Sequence, residues 1–181
     1  LLVGCVALMA LLSVFWTPAD PLRLNLKLRL QPPGGQFLLG SDEFGRDVLS
    51  RLMAGAGTSL LVAALSVLLA LALGVLIGLV AGYLRGWVDR VLMVFADALL
   101  AFPGILLALG VMVIVGADKW SIVLALGLAY APTAARIVRG TVLSLREKEF
   151  IEASRVIGNS DLRTIFVHLL PNCVAPIVVL A

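Results

Sequence analysis

Between Leu60 and Gly82 the chain reads LLVAALSVLLALALGVLIGLVAG, a stretch without a single charge. A bilayer core about 30 Å thick is spanned by about 20 apolar residues of helix at 1.5 Å each. This stretch therefore predicts a membrane-spanning helix, and the rest of the chain agrees with it. Of 181 residues 61% are hydrophobic and 14% are charged, against about 45–50% and 25% in an ordinary soluble domain. Disorder is excluded because so apolar a chain must bury its surface, and lipid accepts that surface without a large water-excluded core. The net charge is only +3, from 14 basic and 11 acidic residues. Charges this sparse form no basic patch, so nucleic acid is not an expected partner.

Two further runs have spanning length or approach it. Val91 to Gly116 carries one charge, Asp97, and Trp120 to Ala135 carries none. The chain opens inside an apolar run, Leu1 to Trp16, and stops inside another, Val174 to Ala181. The first run has neither a positive leader nor a small-residue cleavage site, so it is read as a truncated span rather than a signal peptide. The expected fold is an all-α polytopic membrane helical bundle, a fragment with about four to five spans. Its parts are a truncated first helix (1–16), an external loop with an interfacial helix (17–58) and a core (59–181). Within the core fall spans at about 60–82, 91–116 and 120–135, a long loop over 136–172 and a truncated span over 173–181. Lys and Arg are modestly enriched in loops 83–90 and 136–172, which places the 136–172 loop in the cytoplasm. Trp16, Trp87 and Trp120 stand at span ends, as interfacial anchors do.

In the first loop, Val48, Leu49, Leu52 and Met53 recur at helical spacing, with Asp47 and Arg51 one turn apart. They suggest a short helix lying in the membrane interface. Asp42, Glu43 and Asp47 do not have calcium-loop spacing, and Arg46 and Arg51 oppose a cation. Cys5 and Cys173 match no metal-ligand pattern and are read as packing residues. Ser66, Ala70, Gly74, Gly78 and Gly82 recur every four residues and form a small-residue stripe. In lipid, where helices gain no hydrophobic drive toward one another, such a stripe promotes close helix packing. Asp97 is costly within a span. It is either a pathway or gating residue, or a group near the interface within reach of water or Arg90. Pro103 should kink or interrupt the third span, and such a break is either part of the pathway or gate, as is common in transporters, or a kink of an inert span.

The strongest signal lies in loop 136–172. Ser144 to Glu147 has the form of a capping box opening a helix with Phe150, Ala153, Ser154 and Ile157 along one stripe. Gly158-Asn159 breaks that helix. Ser160 or Asp161 can cap a second one, carrying Leu162, Ile165, Phe166 and Leu169 until Pro171 blocks its continuation. Two short amphipathic helices joined by a tight turn suit docking on a partner protein.

Glu152-Ala153-Ser154-Arg155-Val156-Ile157-Gly158, followed by His168-Leu169-Leu170-Pro171-Asn172, resembles the EAA signature of permease subunits in binding-protein-dependent ABC importers. Leu39 to Leu52, Gly86-Trp87-Val88-Asp89-Arg90 and Ala101-Phe102-Pro103 resemble the dipeptide, oligopeptide and nickel branch of that family. The likeness runs through nearly the whole chain from residue 38. Ser154 replaces the usual second alanine, a small-for-small change. The resemblance implies a MetI-like permease fold in a bacterial or archaeal inner membrane, and a solute path for peptides or a related solute such as nickel. It also implies a coupling loop, with Glu152, Ala153, Ser154, Gly158, Leu162, Ile165, His168, Leu170 and Pro171, that inserts into a cytoplasmic ABC ATPase. Further implied partners are a second permease subunit, an external solute-binding protein and membrane lipid. ATP and magnesium would bind the partner ATPase, and this chain has no G-x-x-x-x-G-K-[ST] phosphate loop of its own. No cofactor, metal or catalytic residue is expected on it.

Three other readings are weaker. A helix-turn-helix DNA binder could be drawn from Phe150 to Phe166, but Arg155 and Arg163 are offset by Glu149, Glu152 and Asp161. An enzyme would need a partner for His168, the only histidine, and none stands at motif spacing. An ion-coupled secondary transporter or channel subunit is the better rival. It would call for several ionisable or broken-helix sites at mid-membrane, where only Asp97 and Pro103 qualify.

Overall fold

The computed structural model describes residues 1–116 and 118–180. Ala117, in the expected third loop, and Ala181, at the end of the expected last span, lie outside the described residues. The chain forms two compact units, Leu1–Ala63 and Ala64–Ala181. Its helices are α1 (Leu2–Phe15), α2 (Val48–Leu84), α3 (Gly86–Leu100), α4 (Gly104–Val115), α5 (Lys119–Arg146), α6 (Glu149–Val156), α7 (Asp161–Arg163), α8 (Leu170–Asn172) and α9 (Val174–Leu180). Helices α2 and α5 are each long and apolar enough to cross a membrane. A third span arises if α3 and α4, bent by 92° at their break, are counted as one.

In the first unit the loop after α1 is pinned by its own polar groups. Ser41 is buried; its hydroxyl accepts from the Gln31 amide (2.8 Å) and donates to the Leu28 carbonyl. Asp42 accepts from the Phe44 and Arg46 amides (2.9 and 3.0 Å) and pairs with the Arg46 and Arg51 guanidinium groups. Burial works against the Asp42 carboxylate, but these hydrogen bonds outweigh it and hold its pKa well below the usual carboxylate range.

The expected Asp47–Arg51 pair does not form. Asp47 instead caps α2, accepting from the Ser50 amide (2.9 Å) and hydroxyl (2.5 Å), while Arg51 turns to Asp42. Nor is the interfacial helix a separate element. Nothing between Val48 and Leu60 stops a helix, so the expected short helix and the expected span are one helix of 37 residues. At 1.5 Å per residue it is about 55 Å long, well beyond a bilayer core.

In the second unit, α5 is the central strut. Helices α3, α4 and α9 all pack against it, and it buries Val123, Ala125, Ala131, Ala134, Ala135, Val138 and Val142. Asp118 caps it, accepting from the Ser121 amide (2.8 Å) and hydroxyl (3.1 Å). The amide bond leads the influences that lower the Asp118 pKa, against the opposing effect of burial.

The span expected to end at Ala135 runs on to Arg146. Arg136 and Arg139 do not end the helix, since arginine is a good helix former, and they pair with Asp97 and Asp89 on α3. Ser144 therefore lies inside α5, and the expected capping box is not a helix start; α6 begins after Lys148. Pro103 does interrupt its span, standing at the break between α3 and α4.

After α7 the chain continues as a π-helical segment, Thr164–Leu169, and then α8. Pro171 therefore does not end the helical path. It sits in the first turn of α8, where its missing N–H is tolerated. Trp16, Trp87 and Trp120 stand at the ends of α1, α3 and α5 and are exposed.

Candidate functional site

Three features of the second unit bear on function: a seam, an ion-paired chamber and a two-helix projection after α5. The seam joins α2 to α5. A Cβ on Gly74 would lie 2.5 Å from the Ala134 Cβ, one on Gly78 2.6 Å from the Ala135 carbonyl, and one on Gly82 2.8 Å from the Val142 Cβ. The backbones of α2 and α5 thus approach more closely than any side chain allows, the geometry that small-residue stripes serve in membranes. Ser66 and Ala70, at the start of the stripe, are also buried.

The chamber, about 550 Å³, is lined by Arg85, Asp89, Arg90, Asp97 and Arg139 among others. Arg139 grips Asp89 with both arms, Nε to Oδ1 at 2.5 Å and Nη2 to Oδ2 at 2.6 Å, in a half-buried setting. Asp97 pairs with Arg136 at 2.5 Å, and more than half of each side chain is exposed. Arg90, weighed as its partner from the sequence, is not the residue it meets. Pro103 stands apart from the chamber, at the α3–α4 break.

The projection begins where α5 ends. Helix α6 turns Ile151 and Ser154 inward, both buried, and exposes Glu152, Ala153, Val156 and Ile157. This differs from the stripe read from the sequence, since Phe150, Ala153 and Ile157 face outward. Ile151 decides the rotation, because it packs in one core cluster with Leu79, Val138 and Val142. Gly158 has φ +80°, a left-handed conformation that L side chains rarely adopt, and its amide donates to the Arg155 carbonyl (2.9 Å). The Ser160 hydroxyl accepts from the Arg163 amide (3.4 Å) and caps α7. Ser154 is more than a small filler: its hydroxyl bonds Thr164 Oγ1 (3.1 Å) and accepts from Asn159 Nδ2 (3.0 Å), tying α6 to the π-helical segment.

The expected second stripe also splits. Ile165 and Leu169 enter the core cluster with Cys173, while Leu162 and Phe166 stay exposed. Leu170 packs at the edge of that cluster, Pro171 is exposed, and His168 is half-buried, its carbonyl accepting from Asn172 Nδ2 (2.7 Å). The projection is therefore braced on its inner side. On its outer side it presents Val156 (80% exposed), Ile157 (75%), Leu162 (68%) and Phe166 (48%) beside Glu152.

Sequence reasoning missed Tyr83, Arg139 and Arg146 as structural residues. Asp89 falls within the Gly86 to Arg90 motif, and Arg139 stands one turn beyond Arg136, so that pairing left a faint trace. Tyr83 left none, because a lone aromatic residue at a span end reads as an anchor or a loop residue.

Helices of spanning length, a small-residue seam and a braced, apolar-tipped projection define a polytopic membrane component. Residues 74–181 match the family model of the binding-protein-dependent transport system inner membrane component, and the chain belongs to that family. It is similar to a putative peptide transport system permease protein of Brucella suis, 43% identical over 174 residues, covering 96% of this chain and 58% of the relative. A dipeptide transport system permease protein of Alkalihalophilus pseudofirmus is 38% identical over 174 residues, covering 96% and 57%. A glutathione transport system permease protein of Salmonella typhimurium is 46% identical over 147 residues, covering 81% and 48%. The chain thus spans about half the length of these relatives, from 48% to 58%.

Proposed function

We propose that this chain is part of the membrane-spanning permease subunit of an ATP-driven, binding-protein-dependent importer, and that its solute is a short peptide or peptide-like molecule. The observation that carries the coupling part of this reading is the projection. Its inner face is locked to the ends of α2 and α5, while Val156, Ile157, Leu162 and Phe166 face outward beside Gly158 and Glu152. A rigid unit with an apolar tip and a charged rim suits a protein groove, where the apolar residues anchor and the charges set register.

In this reading the groove belongs to a cytoplasmic ABC ATPase, which holds ATP and magnesium and performs the hydrolysis. An external solute-binding protein delivers the solute, and a second permease subunit completes the path. The contacts fall to Glu152, Ala153 and Leu162 on the outer face and to Gly158 at the turn. Ser154, Ile165, His168, Leu170 and Pro171 hold the unit's shape. Gly74, Gly78 and Gly82 keep α2 and α5 moving together, and Asp97 and Pro103 belong to the part of the bundle that rearranges. The peptide class is supported by the names of the relatives, which are peptide, dipeptide and glutathione permeases.

The test uses the full-length permease, co-purified with its ATPase as wild type, Glu152→Arg and Gly158→Pro. Glu152 is exposed, so its replacement disturbs only the docking face. Proline, with φ held near −65°, cannot take the left-handed turn at Gly158. Both variants are expected to insert normally and to lose the ATPase. Retention of the ATPase by both would overturn the docking role.

A further inference from the structure

The coupling unit must be mechanically joined to the spans, and one residue makes that joint with directional contacts. Tyr83 is at the end of α2, and its side chain is 4% exposed. Its hydroxyl donates to Asp161 Oδ1 at 2.6 Å, at the first residue of α7. Its ring faces two guanidinium groups, Arg155 of α6 at 5.2 Å and Arg146 of α5 at 5.7 Å. Its carbonyl accepts from Arg146 Nη1 at 2.5 Å. The ring also lies in the core cluster with Ile151, Ile165 and Leu169. A single side chain thus holds α5 and both halves of the projection.

We propose that Tyr83 is the positioning residue that transmits displacement of the projection to helix α2, through its hydrogen bond to Asp161. This rests on the projection being the ATPase-docking unit. Among the described residues, the Tyr83–Asp161 bond is the one side-chain hydrogen bond between helices α2 to α5 and the segment 149–172. The remaining contact across that boundary is largely apolar packing around Ile151, Ile165 and Leu169. Apolar packing braces the projection but is non-directional. A short hydrogen bond to a carboxylate has defined length and direction. A push on α7 is then delivered to the end of α2. Helix α2 carries it rigidly to the Gly74–Gly82 seam and so to α5. The flanking arginines keep the ring from swinging aside, and Arg85, two residues on, forms an exposed pair with Glu147 at 2.5 Å.

The experiment uses the intact importer complex in lipid nanodiscs, with the purified cognate solute-binding protein as the probe. Three quantities are read: recovery of the ATPase, basal ATP hydrolysis, and the fold-stimulation of hydrolysis by the binding protein. Tyr83→Phe keeps the ring and its arginine contacts and removes only the hydroxyl; Asp161→Ala removes the carboxylate that receives it. Each variant is expected to recover the ATPase and hydrolyse at the basal rate, while stimulation falls about fivefold or more, the size of a small coupling energy. The double variant should be no worse than either single one, since both break the same bond. Wild-type stimulation in Tyr83→Phe, or additive losses in the double variant, would overturn the proposal. Loss of the ATPase from Tyr83→Phe would also overturn it, because the bond would then maintain the shape of the unit rather than relay motion. A wild-type complex that fails to hold the ATPase would instead refute the docking reading itself.

Discussion

Gly78 carries no side chain because there is no room for one. A Cβ there would lie 2.6 Å from the Ala135 carbonyl, 2.8 Å from the Val138 Cβ and 3.0 Å from the Arg139 amide nitrogen, two of them backbone atoms that cannot swing aside. Gly78→Leu is therefore expected to push α2 off α5. Overpacking of this kind costs about 1–3 kcal/mol or more, and yield of the folded permease should drop several-fold on a detergent-solubilised sizing column. Leu76→Val, at a half-exposed position two residues away, should leave the yield unchanged. The periodic spacing of small residues made this stripe legible without coordinates. The role of Ser154 was not legible, since a serine among alanines looks like a size match until Thr164 and Asn159 are found bonded to its hydroxyl.

Helices α3 and α5 are joined by two ion pairs of unequal weight. The Asp89–Arg139 pair is two-armed and half-buried, whereas both members of the Asp97–Arg136 pair are more than half exposed. Charge-assisted hydrogen bonds to a half-buried carboxylate contribute about 1.5–3 kcal/mol, while exposed pairs contribute about 0–1 kcal/mol. Asp89→Asn should consequently lower the thermal unfolding midpoint of the purified complex by several degrees, and Asp97→Asn by no more than a degree or two. Equal shifts would show that exposure does not rank the two pairs. The same arginines explain why the end of α5 is misplaced from sequence. Arg136 and Arg139 look like the start of a loop, but arginine is a good helix former, and the helix carries them past Asp97 and Asp89 of α3 onward to Arg146. The rotation of α6 has a similar origin, because Phe150 and Ile151 are interchangeable on an apolar wheel until Leu79, Val138 and Val142 are in place to receive one of them.

Taken whole, the chain should thread the membrane with residues 20–45 and residues 147–160 on opposite faces, the latter in the cytoplasm. Single cysteines at Glu43 and Asn159, in a background with Cys5 and Cys173 replaced by alanine, should react with an impermeant maleimide from opposite sides. Glu43→Cys should label in intact cells and Asn159→Cys only after the inner membrane is opened. Labelling of both from outside would overturn the assigned orientation. That orientation rests on the modest excess of Lys and Arg in two loops, and neither helix packing nor ion pairing bears on it.

Some of this molecule is dictated by composition and short-range chemistry alone. A charge-free run such as Leu60 to Gly82 must be a helix in lipid, where every backbone donor and acceptor has to be satisfied within the segment. A proline at position 103 breaks its helix, a glycine at 158 permits a left-handed turn, and a serine at 160 caps the next helix, because each effect reaches only a few residues. Other features depend on partners far away in the chain and had to wait for the tertiary structure. Asp97 meets Arg136 across 39 residues, Asp89 meets Arg139 across 50, and Tyr83 meets Asp161 across 78. Helical periodicity says which residues share a face but not which face finds a neighbour. Only the close approach of α2 to α5 brings Tyr83, Arg146 and the projection together, and so decides how the end of the bundle is held.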